Sequence, residues 1–248
     1  MNKKENIIEQ LKNLGLQKYS AVMVHTSMRK VGKIEGGADA LIDALLQTLG
    51  AQGNLVMVLG ADDDEPFDAL TSEAEEDMGV VPELFRERED VHVNDHAAAR
   101  YAAHGPQAEF LLNPIPLHDY HGPGSVLERL VEMNGAVLRL GADVDTVTLT
   151  HLAEYLADVP NKRRVSLRYE RADSGEQWIE SLDDSDGIAE WKEGDYFPRI
   201  LLDYLKSGDA NIGRIGSAEA ELFPAKNFLS FAKCWIESNL GVESRKQS

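Results

Sequence analysis

Two hydrophobic periods alternate through the first sixty residues, and that alternation limits the fold more than any other feature of the chain. Ile7, Ile8, Leu11 and Leu14 recur at helical spacing over residues 4–14, and Gly15 is a stop. Residues 20–25 form a short apolar run of the kind that makes a buried strand. A loop rich in Gly and Lys, residues 26–37, leads into a second amphipathic helix over 38–49. Its Ala38, Leu41, Ile42, Leu45 and Leu49 share a face, and Gly50 ends it. Residues 54–59 read as a second buried strand. Helix, strand, helix, strand predicts an α/β fold, a mixed central sheet with helices on both faces.

Residues 60–79 break the pattern. They carry Asp62, Asp63, Asp64, Glu65, Asp68, Glu73, Glu75, Glu76 and Asp77 with almost no apolar periodicity, which predicts a long acidic loop. Loops of that length inside compact domains tend to carry function. Helices are predicted over 82–88, 106–112, 125–134 and 146–157, with a strand over 136–140. From residue 163 the pattern alternates with period two: 163–170 and 177–181 read as a hairpin joined by Ala172-Asp173-Ser174-Gly175. Helices near 195–206 and 225–239 follow, and the tail from 244 is expected to fray. Residues 1–248 are therefore read as a single domain, with 163–215 as an appended lobe, a small C-terminal β-hairpin lobe.

Charge narrows the partners. The 248 residues hold 43 acidic and 25 basic side chains, a formal charge of −18. Such a surface repels phosphate backbones, so no nucleic-acid partner is expected, and it attracts polycations. No apolar run approaches the ~20 residues that span a bilayer, and the N-terminus has no apolar signal core. No membrane partner and a cytoplasmic location are expected. The single cysteine, Cys234, permits neither an internal disulfide nor a thiolate metal cluster.

Four segments contain chemistry-bearing side chains. His151 and Glu154 stand three residues apart in a predicted helix and so share a face; a carboxylate beside an imidazole fixes its tautomer and raises its basicity. The run Asp62-Asp63-Asp64-Glu65 lacks the spacing and glycine of a calcium loop, but its carboxylates suit ammonium groups or the orientation of a histidine. The stretch His25-Thr26-Ser27-Met28-Arg29-Lys30 leaves a strand toward Gly36-Gly37 and a helix, where α/β sheets place ligands. Arg29, Lys30 and Lys33 form a basic island there, without a phosphate-loop or dinucleotide glycine signature. His118-Asp119-Tyr120-His121 sets two histidines beside an aspartate, which suits either a metal or a substrate loop.

In order and spacing, eight segments across roughly residues 5–165 resemble the aminoglycoside 3-N-acetyltransferase family. They are Val24-His25-Thr26-Ser27; Gly36-Gly37 with its helix; Asn54-Leu55-Val56-Met57-Val58; Asp63-Asp64-Glu65-Pro66-Phe67-Asp68; Ala102-Ala103-His104-Gly105-Pro106-Gln107-Ala108-Glu109; His121-Gly122-Pro123-Gly124-Ser125; Gly135-Ala136-Val137-Leu138-Arg139-Leu140-Gly141; and His151-Leu152-Ala153-Glu154. The Asp-Asp-Glu-Pro-Phe-Asp stretch looks most like the subgroup that accepts apramycin as well as gentamicin-like drugs. Two segments depart from the family pattern: Gly141-Ala142-Asp143-Val144-Asp145-Thr146-Val147-Thr148 before the helix, and His96-Ala97 after the acidic loop.

The resemblance implies acetyl-CoA-dependent transfer to the 3-amino group of a deoxystreptamine ring, a reaction that confers antibiotic resistance, with acetyl-CoA as cosubstrate and no metal. It implies a catalytic group of His151, Asp63 and Glu154, with His151 as the general base. His25, Thr26 and Ser27, with the following Arg29, Lys30, Val31 and Gly32, match the groove for CoA. Asp62, Asp64, Glu65, His121, Asp183 and Asp186 match the drug cleft. A homodimer is the assembly considered. Three alternatives stand beside this: a metal-dependent hydrolase built on His96, His118, His121 and the acids, an acetyltransferase acting on a different amine, and a non-catalytic acidic module that sequesters cations.

Overall fold

The computed structural model describes residues 1–61, 65–159, 162–185 and 194–240. In chain order the elements are α1 (Lys4–Leu14), β1 (Ala21–Thr26), α2 (Met28–Val31), α3 (Gly37–Leu49), β2 (Asn54–Val58), α4 (Val80–Arg86), β3 (His92–Val93), β4 (Tyr101–His104), α5 (Ala108–Leu112), α6 (Val126–Glu132), β5 (Ala136–Leu140), α7 (Leu149–Ala157), β6 (Arg164–Arg171), β7 (Gly175–Leu182), α8 (Phe197–Ser207), β8 (Asn211–Ile215), β9 (Ala218–Pro224) and α9 (Ala225–Asn239). The predicted α/β class is the observed one.

Seven strands form one mixed sheet in the order β3-β4-β2-β1-β5-β9-β8. Its centre is parallel: β1 lies between β2 and β5, with Val22 opposite both Leu55 and Ala136. Strands buried on both faces read as continuous apolar runs, which is why the sequences of β1 and β2 carry no alternation. Ala21, Met23, Val56 and Val137 face a core built with α5, α6, α7, α8 and α9, through residues such as Leu127, Leu152, Tyr204 and Phe228. Val22, Val24, Leu55 and Met57 face the opposite core, made with Ile7 and Leu11 of α1, Leu41 and Leu45 of α3, and Phe85 of α4.

The outer strands are antiparallel, and the sequence reading leaves all four of them out. β4 pairs with β2, β3 with β4, β9 with β5 and β8 with β9. In β4 the alanines have low strand preference, and pairing to β2 decides their conformation. In β9 a signal was present: Ala218, Ala220 and Leu222 are buried while Glu219 between them is exposed. The segment predicted as a loop before α3 also contains the short helix α2.

The hairpin β6–β7 forms a separate two-stranded sheet. Among the described residues of 163–215 it is the part that stands apart: Ile200, Leu201 and Tyr204 of α8 belong to the main core, and β8 belongs to the main sheet. Backbone bonds fasten the hairpin. The Phe67 amide donates to the Glu170 carbonyl at 2.7 Å, Ala172 donates back to Phe67 at 2.9 Å, and Asp119 donates to Glu180 at 2.9 Å. Among the described residues no helix is long and apolar enough to cross a membrane.

The described part of the acidic loop is ordered by a buried cation. Arg100, fully buried, donates to the carbonyls of Glu73 at 2.9 Å, Ala69 at 3.0 Å and Ser72 at 2.6 Å. Phe67 lies between Arg100 and Arg171, whose guanidinium carbons are 5.7 and 5.3 Å from its ring centre. Replacing Arg100 by Met should keep the volume and orphan those acceptors. The expected loss is about 3 kcal/mol of unfolding free energy, the range for unpaired buried polar groups. Urea denaturation measures it, and a loss below 1 kcal/mol would refute this role for Arg100.

Candidate active site

The carboxyl ends of β1, β2 and β5 open into one cleft of about 600 Å³. β1 is the point where the chain's parallel connections diverge to either side, the usual ligand position in open α/β sheets. His25 and Thr26 come from the end of β1, Ser27, Met28 and Arg29 from the turn after it, and Val58 from the end of β2. Ala142, Asp143, Asp145, Thr146 and Thr148 come from the loop after β5. Residues 77–82 line a further wall, and Asp184, Ser185, Asp195 and Phe197 complete the lining with His151.

His151 is the third residue of α7. Its Nδ1 lies 2.9 Å from Oε2 of Glu154, one turn further along and only 1 % exposed. The other carboxylate oxygen, Oε1, is 3.1 Å from Lys162 Nζ and accepts from the Tyr196 hydroxyl. Burial alone would push the Glu154 carboxyl up. The hydrogen bond and charge of His151, the charge of Lys162 and the Tyr196 hydroxyl outweigh it and hold the carboxyl below its ordinary value. Glu154 is thus an anion with both oxygens engaged. It fixes Nδ1 of His151 and leaves Nε2 as the ring nitrogen available to the cleft.

A second imidazole lies behind the first. His121 stacks on His151 with ring centres 5.0 Å apart and planes 9° apart. The His121 Nε2 is 3.4 Å from Asp184 Oδ2, and its Nδ1 is 3.2 Å from the Tyr101 hydroxyl. The Tyr120 hydroxyl donates to Asp184 at 2.7 Å. An ionised carboxylate only accepts, so Nε2 of His121 carries the proton and Tyr101 donates to Nδ1. Burial first, and the charge of His151 with it, lower the His121 value, although Asp184 opposes them. Asp184 in turn is held well below the usual carboxylate range: its burial raises it, but His121, His151 and Tyr120 prevail.

The expected site residues divide. His25, Thr26, Ser27 and Arg29 line the cleft, as does His151. Lys30 stands beside the cleft with Nζ 2.6 Å from Asp143 Oδ1. Val31 is buried in the core, and Gly32 packs near Ser217. Glu65 is exposed. His121 supports His151 from behind instead of lining the main cleft. Asp183 is engaged by Arg163, whose Nε lies 2.8 Å from its Oδ2, and the neighbouring Asp184, two residues past the end of β7, is the one that meets His121. Asp62, Asp63, Asp64 and Asp186 lie outside the described residues.

Lys162, Tyr196 and Asp184 escaped the sequence reading. Lys162 stands eight residues beyond Glu154, past the end of α7, and Asp184 and Tyr196 come from further along the chain; only Asp184, inside an acidic run, left any trace.

The hydrolase alternative needs His96, His118 and His121 to converge. His96 accepts from the Ala99 amide at Nδ1 and meets the Pro116 and Leu117 carbonyls at Nε2; His118 accepts from the Glu180 amide. Among the described residues no group of three potential ligands gathers.

Known proteins share this architecture. A family model described as aminoglycoside 3-N-acetyltransferase matches residues 23–237. Aminoglycoside N(3)-acetyltransferase VII of Streptomyces paromomycinus is 35% identical over 93% of this chain and 90% of its own length. A solved structure, AAC-IIIb in binary complex with CoASH, superposes with a TM-score of 0.91 at 34% identity, covering 97% of this chain and 98% of that one. AAC-VIa bound to sisomicin gives 0.89 at 29% identity, covering 97% and 99%.

His25 makes a pH prediction. Burial first, then the charge of Arg139, lower its imidazole from 6.5 to about 3. The folded protein keeps this ring neutral while the unfolded chain takes a proton below about pH 6.5, so the linked stability is full above 6.5 and is lost as pH falls toward 3. Between pH 7.5 and pH 5 the wild type should lose up to about 2 kcal/mol more than His25→Gln, at about 1.4 kcal/mol per pH unit. Urea titrations of both proteins at the two pH values measure the difference; equal losses refute the assignment.

Proposed function

The chain belongs to the aminoglycoside 3-N-acetyltransferase family, and from that premise we propose that it moves the acetyl group of acetyl-CoA to the 3-amino nitrogen of a deoxystreptamine drug, with His151 as general base. The observation that carries this reading is the cleft-lining His151 with its Nδ1 held by a buried, ionised Glu154. A sugar ammonium has no lone pair and cannot attack a thioester. Nε2 of His151 accepts its proton, the freed nitrogen bonds to the thioester carbon, and the carbon–sulfur bond breaks to release the CoA thiolate, while the second proton that the nitrogen sheds on becoming a neutral amide goes to water. The proton on His151 then passes to the sulfur. Glu154 stabilises the imidazolium between those steps without itself taking the proton.

The cleft suits both substrates. Asp184 and Asp195 supply negative charge near His151, and the chain's −18 adds a long-range attraction for a polycation. Arg29 lines the cleft near the end of β1, where Thr26 Oγ1 and His25 Nε2 are buried without a partner. Such orphaned polar atoms are a fit for a polar ligand that reaches them. The CoASH complex of AAC-IIIb and the sisomicin complex of AAC-VIa support the same two ligand classes here.

An acetylation screen over apramycin, gentamicin and kanamycin, read by thiol release and by NMR of the product, tests the reaction and its position. Acetylation at another nitrogen refutes the regiochemistry. His151→Ala should lower kcat by about 10²–10⁴, the usual range for a lost general base, with drug Kd changed less than threefold. Equal losses in kcat and Kd would instead make His151 a binding residue.

A further inference from the structure

The loop after β5 places a carboxylate among three cations. Asp143 Oδ1 is 2.6 Å from Lys30 Nζ, and the charges of Lys30, Arg29 and Arg139 together hold its carboxyl below the ordinary value. Its position is built. Arg139, buried, donates through Nη2 to the carbonyls of Ala142 and Asp143, both at 2.7 Å. At the preceding Gly141 (φ +64°) an added Cβ would lie 2.8 Å from Lys30 Cβ, so the loop and α2 are in close contact. The ion pair nevertheless stays open to water: the Asp143 side chain is 76% exposed and that of Lys30 42%. Open pairs of this kind are individually weak and exchange partners readily.

Asp143 and Arg29 both line the cleft, and Lys30 stands directly behind Asp143. An anionic ligand arriving on this side meets Arg29, finds Lys30 already neutralised and is repelled by Asp143. We propose that Asp143 is an internal competitor for the phosphate groups of the acyl donor: it holds Lys30 in the free protein, and donor binding exchanges that carboxylate for phosphate. This rests on the reading of acetyl-CoA as donor. Asp143 is thus a determinant of donor affinity and of selectivity for phosphorylated over phosphate-free thioesters. Removing its charge frees Lys30 and ends the repulsion, and like charges near a protein surface alter a binding constant several-fold.

Titration calorimetry with CoA on the wild type, Asp143→Asn, Lys30→Met and the double variant tests this. Asp143→Asn should tighten CoA binding 3- to 10-fold, and on the Lys30→Met background the same change should give less than twofold. The KM for an acetyl pantetheine thioester, which has no phosphates, should move less than twofold in Asp143→Asn. A CoA Kd within twofold of wild type, weaker binding, or full tightening in the absence of Lys30 overturns the exchange. Failure of the wild-type protein to bind CoA at all overturns the donor reading, a separate result.

Discussion

Glu154 is a carboxylate taken almost wholly out of water, and the site is arranged around that constraint. A buried charge is tolerated only when its oxygens find cations or hydrogen-bond donors. Three partners come from three places: His151 from the preceding turn of α7, Lys162 from the segment before β6, and Tyr196 from the entrance to α8. Satisfying one anion therefore brings the hairpin approach and the last third of the chain against α7. The geometry of the histidine follows from the folding requirement of the carboxylate.

The two stacked imidazoles extend the same logic. Parallel rings 5.0 Å apart cannot both carry a proton cheaply. The inner ring, His121, is enclosed and is fixed at one nitrogen by Tyr101 and at the other by Asp184. Its lowered proton affinity leaves it neutral and makes it a flat surface for the outer ring. His151 is held in plane by this stack on one side and by Phe197, 4.8 Å away, at an angle on another. Glu154 fixes the rotation of the ring about its own axis. A base so confined loses little freedom when a substrate amine arrives, and such pre-orientation is a large part of what a protein adds to proton transfer.

The sequence made the centre of the sheet legible and its margins obscure, for a physical reason. Strands β1 and β2 are buried on both faces and must be apolar throughout, and α1 and α3 bury one stripe each, so their periods survive in the sequence. β4 consists largely of alanine and takes its conformation from β2, a tertiary decision with no local trace. β9 was readable from Ala218, Ala220 and Leu222 alternating with Glu219 and Glu221, although its place in the main sheet between β5 and β8 was not. In the site, the His151–Glu154 pair was visible because both residues lie on one helix. Lys162, Tyr196 and Asp184 were invisible for the converse reason, since none lies on that helix and each meets the site only through tertiary packing. The choice between Asp183 and Asp184 turns on the path of the chain just past β7, which sends one side chain to Arg163 and the next to His121, and no sequence period records that path.

Charge placement reconciles an acidic protein with two oppositely charged ligands. Asp184 and Asp195 lie with His151 and Phe197, whereas Arg29, Lys30 and Arg139 gather where β1 and β5 end. Arg139 is too deeply buried to touch a ligand. Its guanidinium is spent on Glu221 and on the two loop carbonyls, so its influence on the cleft is to fix where Asp143 stands. A single buried arginine thereby sets the position of a surface carboxylate, which in turn holds a surface lysine. Long-range attraction from the whole chain favours the cationic substrate everywhere on the surface, and selectivity for the anionic one has to be generated locally against that field. The basic end of the cleft is small for this reason: in a protein of charge −18, a few cations held at fixed positions by the fold can bind an anion without cancelling the attraction that draws in the amine.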